Sequence, residues 1–185
     1  MADIRLLGIS GSLRKGSYNS AALKAAASLV PAGASLEIFD ISGIPLYNED
    51  VKAQGFPEPV QRLRDKIAAA DGLVFATPEY NFSTSGVLKN AIDWASRPPE
   101  QPFNEKAVAL LGASAGVLGT ARAQYHLRQI GVFLNMRFVN KPEVFIGSAS
   151  TKFDADGNLT DETAKGLIKS LMAELVTWSK RLKAS

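Results

Sequence analysis

Five short aliphatic runs alternate with stretches of helical periodicity along this chain, and that alternation limits the fold more than any other feature. The runs are nearly continuous in Val, Leu, Ile and Phe, as strands covered on both faces are. They lie at residues 4–9, 35–40, 72–77, 106–112 and, for the last, near 143–146. Strands that alternate with helices predict an α/β fold with a five-stranded parallel, doubly wound sheet. In such a sheet a ligand binds beyond the carboxyl ends of the strands, where the strand order reverses.

Helical patterns fill the gaps between the predicted strands. They lie around residues 20–30, 58–70, 86–96 and 117–131. A last helix is expected to begin near Thr160 or Asp161, either of which can cap its first N–H groups. Apolar residues then recur at three- and four-residue steps and predict one buried stripe of Leu167, Leu171, Leu175, Trp178 and Leu182.

The composition excludes several classes of chemistry. At 185 residues the chain is expected to form a single domain, 1–185. The absence of cysteine excludes disulfides, thiolate zinc sites and cysteine nucleophiles, and the single histidine excludes a multi-histidine metal site. With 21 basic and 18 acidic side chains, the net charge of +3 gives no sign of nucleic-acid binding. No secretory signal and no run of membrane-spanning length is visible, so we expect a cytoplasmic protein without membrane contact.

The first candidate site follows the first strand, in the run Gly-Ser-Leu-Arg-Lys-Gly-Ser-Tyr-Asn at 11–19. A strand, a polar loop and a helix start direct backbone N–H groups and the positive end of a helix dipole at one point. Hydroxyl and amide groups and one arginine fork, suited to phosphate oxygens, add to them. The neutral donors are Ser12, Ser17 and Asn19, and the charged one is Arg14.

Two familiar phosphate loops do not fit this spacing. A nucleoside-triphosphate loop needs Lys and then Ser or Thr after its second glycine, whereas here Ser17 follows Gly16 directly. The dinucleotide fingerprint of three glycines also has different intervals. The loop therefore suits a terminal monophosphate, and the alternative is an ordinary capped helix with a polar lead-in.

The second candidate site is the loop at 77–86, which follows the third strand. A planar heteroaromatic ring can lie on it, with apolar contact from Tyr80 and a polar group from Asn81. Glu79 is the one carboxylate of this loop, and a single unpaired carboxylate gives no acid–base pair. We therefore expect Glu79 to hold the loop rather than to act as a general base.

The third candidate loop contains Gly-Ala-Ser-Ala-Gly at 112–116, a literal match to the nucleophile elbow of hydrolases. That fold needs an acid and then a histidine after the serine. Residues 115–125 contain no Asp or Glu, and His126 follows Ser114 after only twelve positions. Ser114 is therefore predicted to be a small polar ligand contact, and His126 a hydrogen-bonded packing or interface residue. The run at 154–158 departs from calcium-loop spacing and predicts a simple turn.

Four motifs resemble the NADPH-dependent FMN reductase family, and among its members the bacterial quinone and chromate reductases. They are the run at 11–19, Pro-Glu-Tyr-Asn at 78–81, Leu-Lys-Asn-Ala-Ile-Asp-Trp at 88–94 and Ala-Arg-Ala-Gln-Tyr-His-Leu-Arg-Gln at 121–129. The resemblance implies a flavodoxin-like three-layer sandwich with FMN held non-covalently and NAD(P)H as co-substrate. It implies phosphate contacts from Ser12, Leu13, Arg14, Lys15, Gly16, Ser17, Tyr18 and Asn19, a ring bordered by Pro78, Glu79, Tyr80 and Asn81, and closure of the other side by Ser114. Electrons would pass from reduced nicotinamide through FMN to quinones, chromate, azo or nitro compounds, with no catalytic side chain because the flavin carries the chemistry. Phe82 and the three residues after it depart from the family's more proline-containing continuation.

Two other functions remain open on the sequence. A flavodoxin-type electron carrier would bind the same flavin without reducing small molecules, although such carriers are often acidic. A serine hydrolase using Ser114 lacks its acid.

The resemblance also implies a homodimer or homotetramer. The mixture of arginine and aromatic residues on the helix at 117–131 suits an interface. We expect Arg122 and Tyr125 to meet Glu143 across subunits, the alternative being a solvated basic helix face.

Overall fold

The computed structural model describes residues 4–184, which alternate between strands and helices from end to end. The strands are β1 (Ile4–Ser10), β2 (Ala34–Phe39), β3 (Gly72–Ala76), β4 (Ala107–Ala113), β5 (Arg137–Phe138) and β6 (Val144–Ile146). The helices are α1 (Tyr18–Ser28), α2 (Glu49–Lys52), α3 (Glu58–Ala69), α4 (Gly86–Ala95), α5 (Ala121–Phe133) and α6 (Glu162–Ala184), with a 3₁₀ turn at Ala149–Thr151.

The sheet is parallel throughout, with the order β2-β1-β3-β4-β5 and with β6 also paired to β4. The strand order reverses between β1 and β3, which are direct neighbours. The fifth position of the sheet is shared, since β5 pairs with the start of β4 and β6 with its end. Pro142 lies between these two pieces and has no N–H to contribute to a ladder. The single strand expected near 143–146 is thus the second half of an interrupted edge strand.

Helices cover both faces of the sheet, each over its own apolar core. On one face α1 and α6 pack on residues such as Leu6, Val74 and Leu111. On the other face α3, α4 and α5 pack on their sequence neighbours, among them Leu7 and Leu110. This alternation is the consequence of strand geometry, in which successive side chains point to opposite faces. The predicted doubly wound, three-layer sandwich is confirmed.

Two details of the helices differ from the sequence prediction. α5 begins at Ala121 rather than near 117, and the connection at 42–59 contains the short helix α2. In α6 the predicted cap is Asp161, whose carboxylate accepts a 2.7 Å hydrogen bond from the N–H of Ala164. The predicted stripe is wrong at Leu167, which is 39% exposed, because the buried side of α6 at that level is formed by Ile168.

No helix in residues 4–184 is long and apolar enough to cross a membrane.

Candidate functional site

Three loops meet beyond the carboxyl ends of β1, β3 and β4 and are hydrogen-bonded to one another. Ser85 donates to the carbonyl of Gly11 at 2.6 Å, which joins the start of α4 to the loop after β1. Asn19 donates to the carbonyl of Ala113 at 2.9 Å and accepts from its N–H at 2.8 Å, which joins α1 to the end of β4. Because these bonds are buried, they hold the loops in fixed positions relative to the sheet.

Gly112 explains why the third loop can approach the second so closely. A Cβ atom at this position would collide with the Thr120 hydroxyl and with the carbonyl of Thr77. The first glycine of the hydrolase-like motif is therefore needed for packing between β3 and the start of α5. The match to the nucleophile elbow has a structural cause that requires no catalytic serine.

A cleft of about 220 Å³ opens between the three loops. Nine of the predicted site residues line it, namely Ser12, Arg14, Ser17, Tyr18, Asn19, Pro78, Glu79, Tyr80 and Ser114. Ala113 and Ala115 also line the cleft, but the sequence analysis did not predict them. Their small size on either side of Ser114 was the feature that could have identified them. Four predicted residues do not line this cleft. Leu13 and Asn81 are exposed, and Lys15 and Gly16 line a separate groove beside α1.

The loop after β1 presents donors around the start of α1. Ser17 caps the helix by accepting a 3.3 Å hydrogen bond from the N–H of Ser20. The other N–H groups of the first turn have no acceptor four residues earlier in the helix, so they point out of its end. Arg14 is exposed, and its guanidinium carbon lies 5.5 Å from the centre of the Tyr18 ring. Together they form a set of hydroxyl, N–H and guanidinium donors of the kind that binds an anion.

Asn19 has a different role from the one that its sequence position indicated. Both polar atoms of its amide are used by the backbone of Ala113. Its side chain therefore positions the third loop. The sequence gives no signal for this bond, since its partners lie 94 residues apart.

The loop after β3 makes a tight two-residue turn. Tyr80 and Ser83 exchange backbone hydrogen bonds of 3.0 and 2.9 Å, and the residues between them, Asn81 and Phe82, both have positive φ angles of 49° and 64°. Two left-handed residues in succession are typical of a type I′ turn, which glycine and asparagine adopt with least strain. The turn presents Tyr80 and Phe82 outwards, with 55% and 63% of their surfaces exposed.

Glu79 fixes the base of this turn. Its side chain is 8% exposed and accepts from the N–H groups of Arg122 and Ala123 at 3.0 and 3.2 Å and from Arg122 Nε at 2.8 Å. It thus caps α5, whose own N-cap residue Thr120 makes no side-chain cap bond. The Arg122 guanidinium also lies 3.7 Å from the centre of the Phe82 ring. The predicted loop-holding role of Glu79 agrees with this geometry.

Ser114 and His126 are not partners. The Ser114 hydroxyl accepts a 3.2 Å hydrogen bond from the N–H of Gly116, and its backbone is tied to Ile146 and Ala149. His126 bonds instead to the Ser83 hydroxyl through Nδ1 at 2.9 Å. The arrangement contains no serine–histidine relay at Ser114.

The acidic partners that the structure gives to Arg122 and Tyr125 lie within the same chain. The expected contacts across subunits stay a prediction. Arg122 pairs with Glu79, and the Tyr125 hydroxyl donates to Glu143 at 2.8 Å. This hydrogen bond raises the pKa of Tyr125 and lowers the pKa of Glu143. The sequence placed the two helix residues on one face but could not show that the residue before β6, Glu143, lies beside Tyr125.

The geometry agrees with two sequence interpretations that involve no ligand, an ion pair on α4 and a simple turn at 154–158. Lys89 and Asp93 form an ion pair of 2.8 Å along α4. Asp154 accepts from both the backbone and the side chain of Asn158, which makes the run 154–158 a turn with Gly157 at a φ of 81°. Residues 4–184 contain no cluster of His, Asp or Glu that could hold a metal ion.

Comparison with known proteins identifies the family. The model of the family described as NADPH-dependent FMN reductase matches residues 4–151. A protein of Pseudomonas aeruginosa named NAD(P)H-dependent FMN reductase is 65% identical over 181 residues, 98% of each chain. The quinone reductase of Escherichia coli strain K12 is 43% identical over 178 residues, 95% of this chain and 93% of its own.

A solved structure gives the same answer for the fold. FerB of Paracoccus denitrificans, described as a flavoenzyme NAD(P)H:(acceptor) oxidoreductase, superposes with a TM-score of 0.87 at 35% identity, over 96% of this chain and 98% of its own. The predicted family and flavodoxin-like fold are confirmed, and the chain belongs to the NADPH-dependent FMN reductase family.

Proposed function

We propose that this protein is an FMN-dependent NAD(P)H oxidoreductase that passes electrons from reduced nicotinamide to quinones. The observation that carries the proposal is the cleft between the three loops. In it, hydrogen-bond donors suited to a phosphate lie beside the exposed ring of Tyr80. The names of full-length relatives support the same activity, since they include an FMN reductase and a quinone reductase.

The residues present fit FMN. Ser12, Arg14, Ser17 and the free N–H groups at the start of α1 would hold its phosphate, because they provide neutral and charged donors and no carboxylate. Pro78, Tyr80 and Ser114 would border the isoalloxazine ring. When bound, the flavin supplies hydride and electron transfer, which no side chain of this protein could perform.

The protein's own contribution is binding and orientation. Both carboxylate oxygens of Glu79 accept hydrogen bonds that hold the Tyr80–Ser83 turn to α5, which favours a structural role over proton transfer. Ser114 is held by its own loop. The residues of the cleft would therefore bind and orient the ring without taking a proton from a substrate.

The choice of quinone over chromate, azo and nitro acceptors rests on the relatives. An open aromatic edge made by Tyr80 and Phe82 suits a flat conjugated acceptor. Chromate, azo dyes and nitro compounds need only access to the same face, so we propose them as slower alternative acceptors.

Spectroscopy of the purified protein tests the function. The protein should carry a flavin absorbance near that of FMN, lose it on anaerobic addition of NADPH or NADH, and recover it when benzoquinone is added. Bound flavin that nicotinamide cannot reduce would identify an electron carrier. A colourless protein that binds no added FMN would refute the flavin site.

We further infer that the protein assembles as a homodimer or homotetramer. Support comes from apolar side chains that remain exposed on α5 and on the loop before it, at Val117, Leu118, Val132 and Phe133. Light scattering of the wild type and of Phe133→Asp tests this inference, with Leu46→Asp, which lies at an equally exposed position elsewhere, as the control. A monomeric wild type contradicts it.

A cytoplasmic location is proposed as well, since a chain without cysteine forms no disulfide and needs no oxidising compartment.

A further inference from the structure

A second and larger concavity adjoins the proposed phosphate site. It is a groove of about 910 Å³ between α1 and the turn at 154–158, compared with about 220 Å³ for the cleft. Ser17 and Tyr18 line both spaces. The groove therefore begins where the cleft ends, at the capped start of α1.

The walls of this groove differ in chemistry. The α1 side presents Ala21, Ala25 and Leu29, which repeat every four residues and form a flat apolar surface. At the helix surface Lys24 is exposed, and it has no ion-pair partner within residues 4–184. The opposite wall offers the carboxylate of Asp156, which is also exposed. An unpaired cation can bind a phosphate, and a flat apolar wall can receive a nucleotide base. A carboxylate can accept hydrogen bonds from ribose hydroxyls.

We propose that this groove holds the adenylate half of a flavin dinucleotide, so that the protein accepts FAD as well as FMN. FAD carries an adenosine monophosphate on the phosphate that ends FMN. With that phosphate held by the loop after β1, the added nucleotide leaves the cleft past Ser17 and Tyr18 and enters the groove. Lys24 meets the second phosphate, the α1 surface receives the adenine, and Asp156 accepts from the ribose hydroxyls.

The dimensions of the groove agree with this occupant. From Ser17 to Leu29 the wall of α1 extends about 18 Å at 1.5 Å per residue. Pockets that enclose small ligands have volumes of about 300–1,000 Å³, and the groove lies in that range. The cleft alone lies below it, so the groove supplies most of the concave volume around the start of α1.

This inference rests on the proposed flavin site, and its test separates the two. Flavin-free protein is titrated with FMN and with FAD, and binding is followed by the quenching of flavin fluorescence. The wild type should bind FAD within about tenfold of its affinity for FMN. Failure to bind FMN would refute the proposed function itself, whereas tight FMN binding with no FAD binding would overturn only the groove.

The variant Lys24→Glu sharpens the comparison, with Lys169→Glu on the exposed side of α6 as a matched control. Reversal of the charge in the groove should weaken FAD at least about tenfold and leave FMN within about twofold. The control should change neither affinity. Equal FAD affinity in Lys24→Glu and the wild type would overturn the proposal. Photo-crosslinking with 8-azidoadenine FAD gives an independent readout, since it should label residues 21–29 or 154–159, and labelling elsewhere would also overturn it.

Discussion

Glu79 and Arg122 are joined through both the backbone and the side chain of the arginine, at 3.0 and 2.8 Å. The carboxylate thereby caps α5, and the guanidinium that it orients packs on Phe82 at the tip of the same turn. One buried carboxylate thus fixes the turn that borders the flavin cleft to the helix behind it. The pair links the position of Tyr80 to the stability of α5.

Glu79→Ala should therefore destabilise the protein. It removes a helix cap and a charged acceptor and leaves two N–H groups without a partner, which should cost about 2–4 kcal/mol in the free energy of unfolding. Chemical denaturation measures the loss. The exposed ion pair of Glu37 with Lys66 provides the control, since Glu37→Ala should cost less than about 1 kcal/mol.

The conservative variant Glu79→Gln distinguishes holding from proton transfer. It retains an acceptor oxygen for the helix N–H groups, so it should lose less stability than Glu79→Ala and keep most of its NADPH oxidation. A variant that is as stable as the wild type but almost inactive would instead make Glu79 a general base.

Asn19 gives the second prediction, because its amide replaces a peptide group at the end of β4. Asn19→Ala removes two buried hydrogen bonds and leaves the N–H and carbonyl of Ala113 unpaired. The expected loss of unfolding free energy is about 2–4 kcal/mol, with weaker FMN binding because the first and third loops separate. Urea denaturation and flavin titration measure the two effects. Asn140→Ala, at an exposed position, serves as the control, and an equal loss there would contradict the assignment.

Asn19 and Glu79 also show how far the sequence could predict the site. Both lie in loops that follow predicted strands, and the geometry of parallel sheets places such loops at one edge. Local sequence patterns therefore identified the loops. The roles of the two side chains depend on partners 94 and 43 residues away, and no local pattern encodes those contacts.

The same reasoning explains what was missed elsewhere. Hydrophobic periodicity predicted the core strands, but it gave no sign of β5, which contributes only two residues to the sheet edge. The groove beside α1 was also missed. Its two walls come from opposite ends of the chain, so it exists only after α6 and the turn before it have packed against α1.

Asp71 provides a prediction about acid stability. Burial by itself would raise its pKa, but the N–H of Arg5 at 2.9 Å and the Lys183 ammonium at 2.7 Å outweigh that effect, and the pKa of Asp71 is lowered overall. A carboxylate whose pKa is lower in the folded state stabilises the fold above its unfolded pKa, and this contribution is lost as the pH falls through the folded value. Asp71→Asn should thus be less stable than the wild type at pH 7, with the difference shrinking below about pH 4.

Thermal unfolding of Asp71→Asn between pH 3 and pH 7 checks this dependence. Asp65→Asn, on the exposed surface of α3, is the matched control and should follow the wild type at each pH. A difference between Asp71→Asn and the wild type that stays constant down to pH 3 would show that the carboxylate contributes no charge-dependent stability.

Ser114 is predicted to be dispensable for chemistry. Its hydroxyl accepts from the N–H of Gly116 and has no histidine beside it, so Ser114→Ala should keep at least about a third of the wild-type NADPH–quinone rate, with FMN affinity lowered by about 1 kcal/mol or less. Steady-state kinetics at saturating FMN measure the rate. Covalent labelling of Ser114 by a fluorophosphonate probe, or loss of the quinone rate by a hundredfold, would contradict a purely binding role.

Arg14 carries the last prediction, which concerns the phosphate. Its guanidinium is exposed at the mouth of the cleft, held near the Tyr18 ring, and free to make a charge-assisted contact with an anionic ligand. Loss of such a contact should cost about 1.5–3 kcal/mol, or roughly ten- to a hundredfold in affinity. Arg14→Ala should thus weaken FMN much more than riboflavin, which has the same ring and no phosphate. Arg62→Ala removes another exposed arginine, from α3, and should alter neither affinity. Since the two flavins differ only at the phosphate, equal weakening of both by Arg14→Ala would place this arginine at the ring or ribityl chain and not at the phosphate.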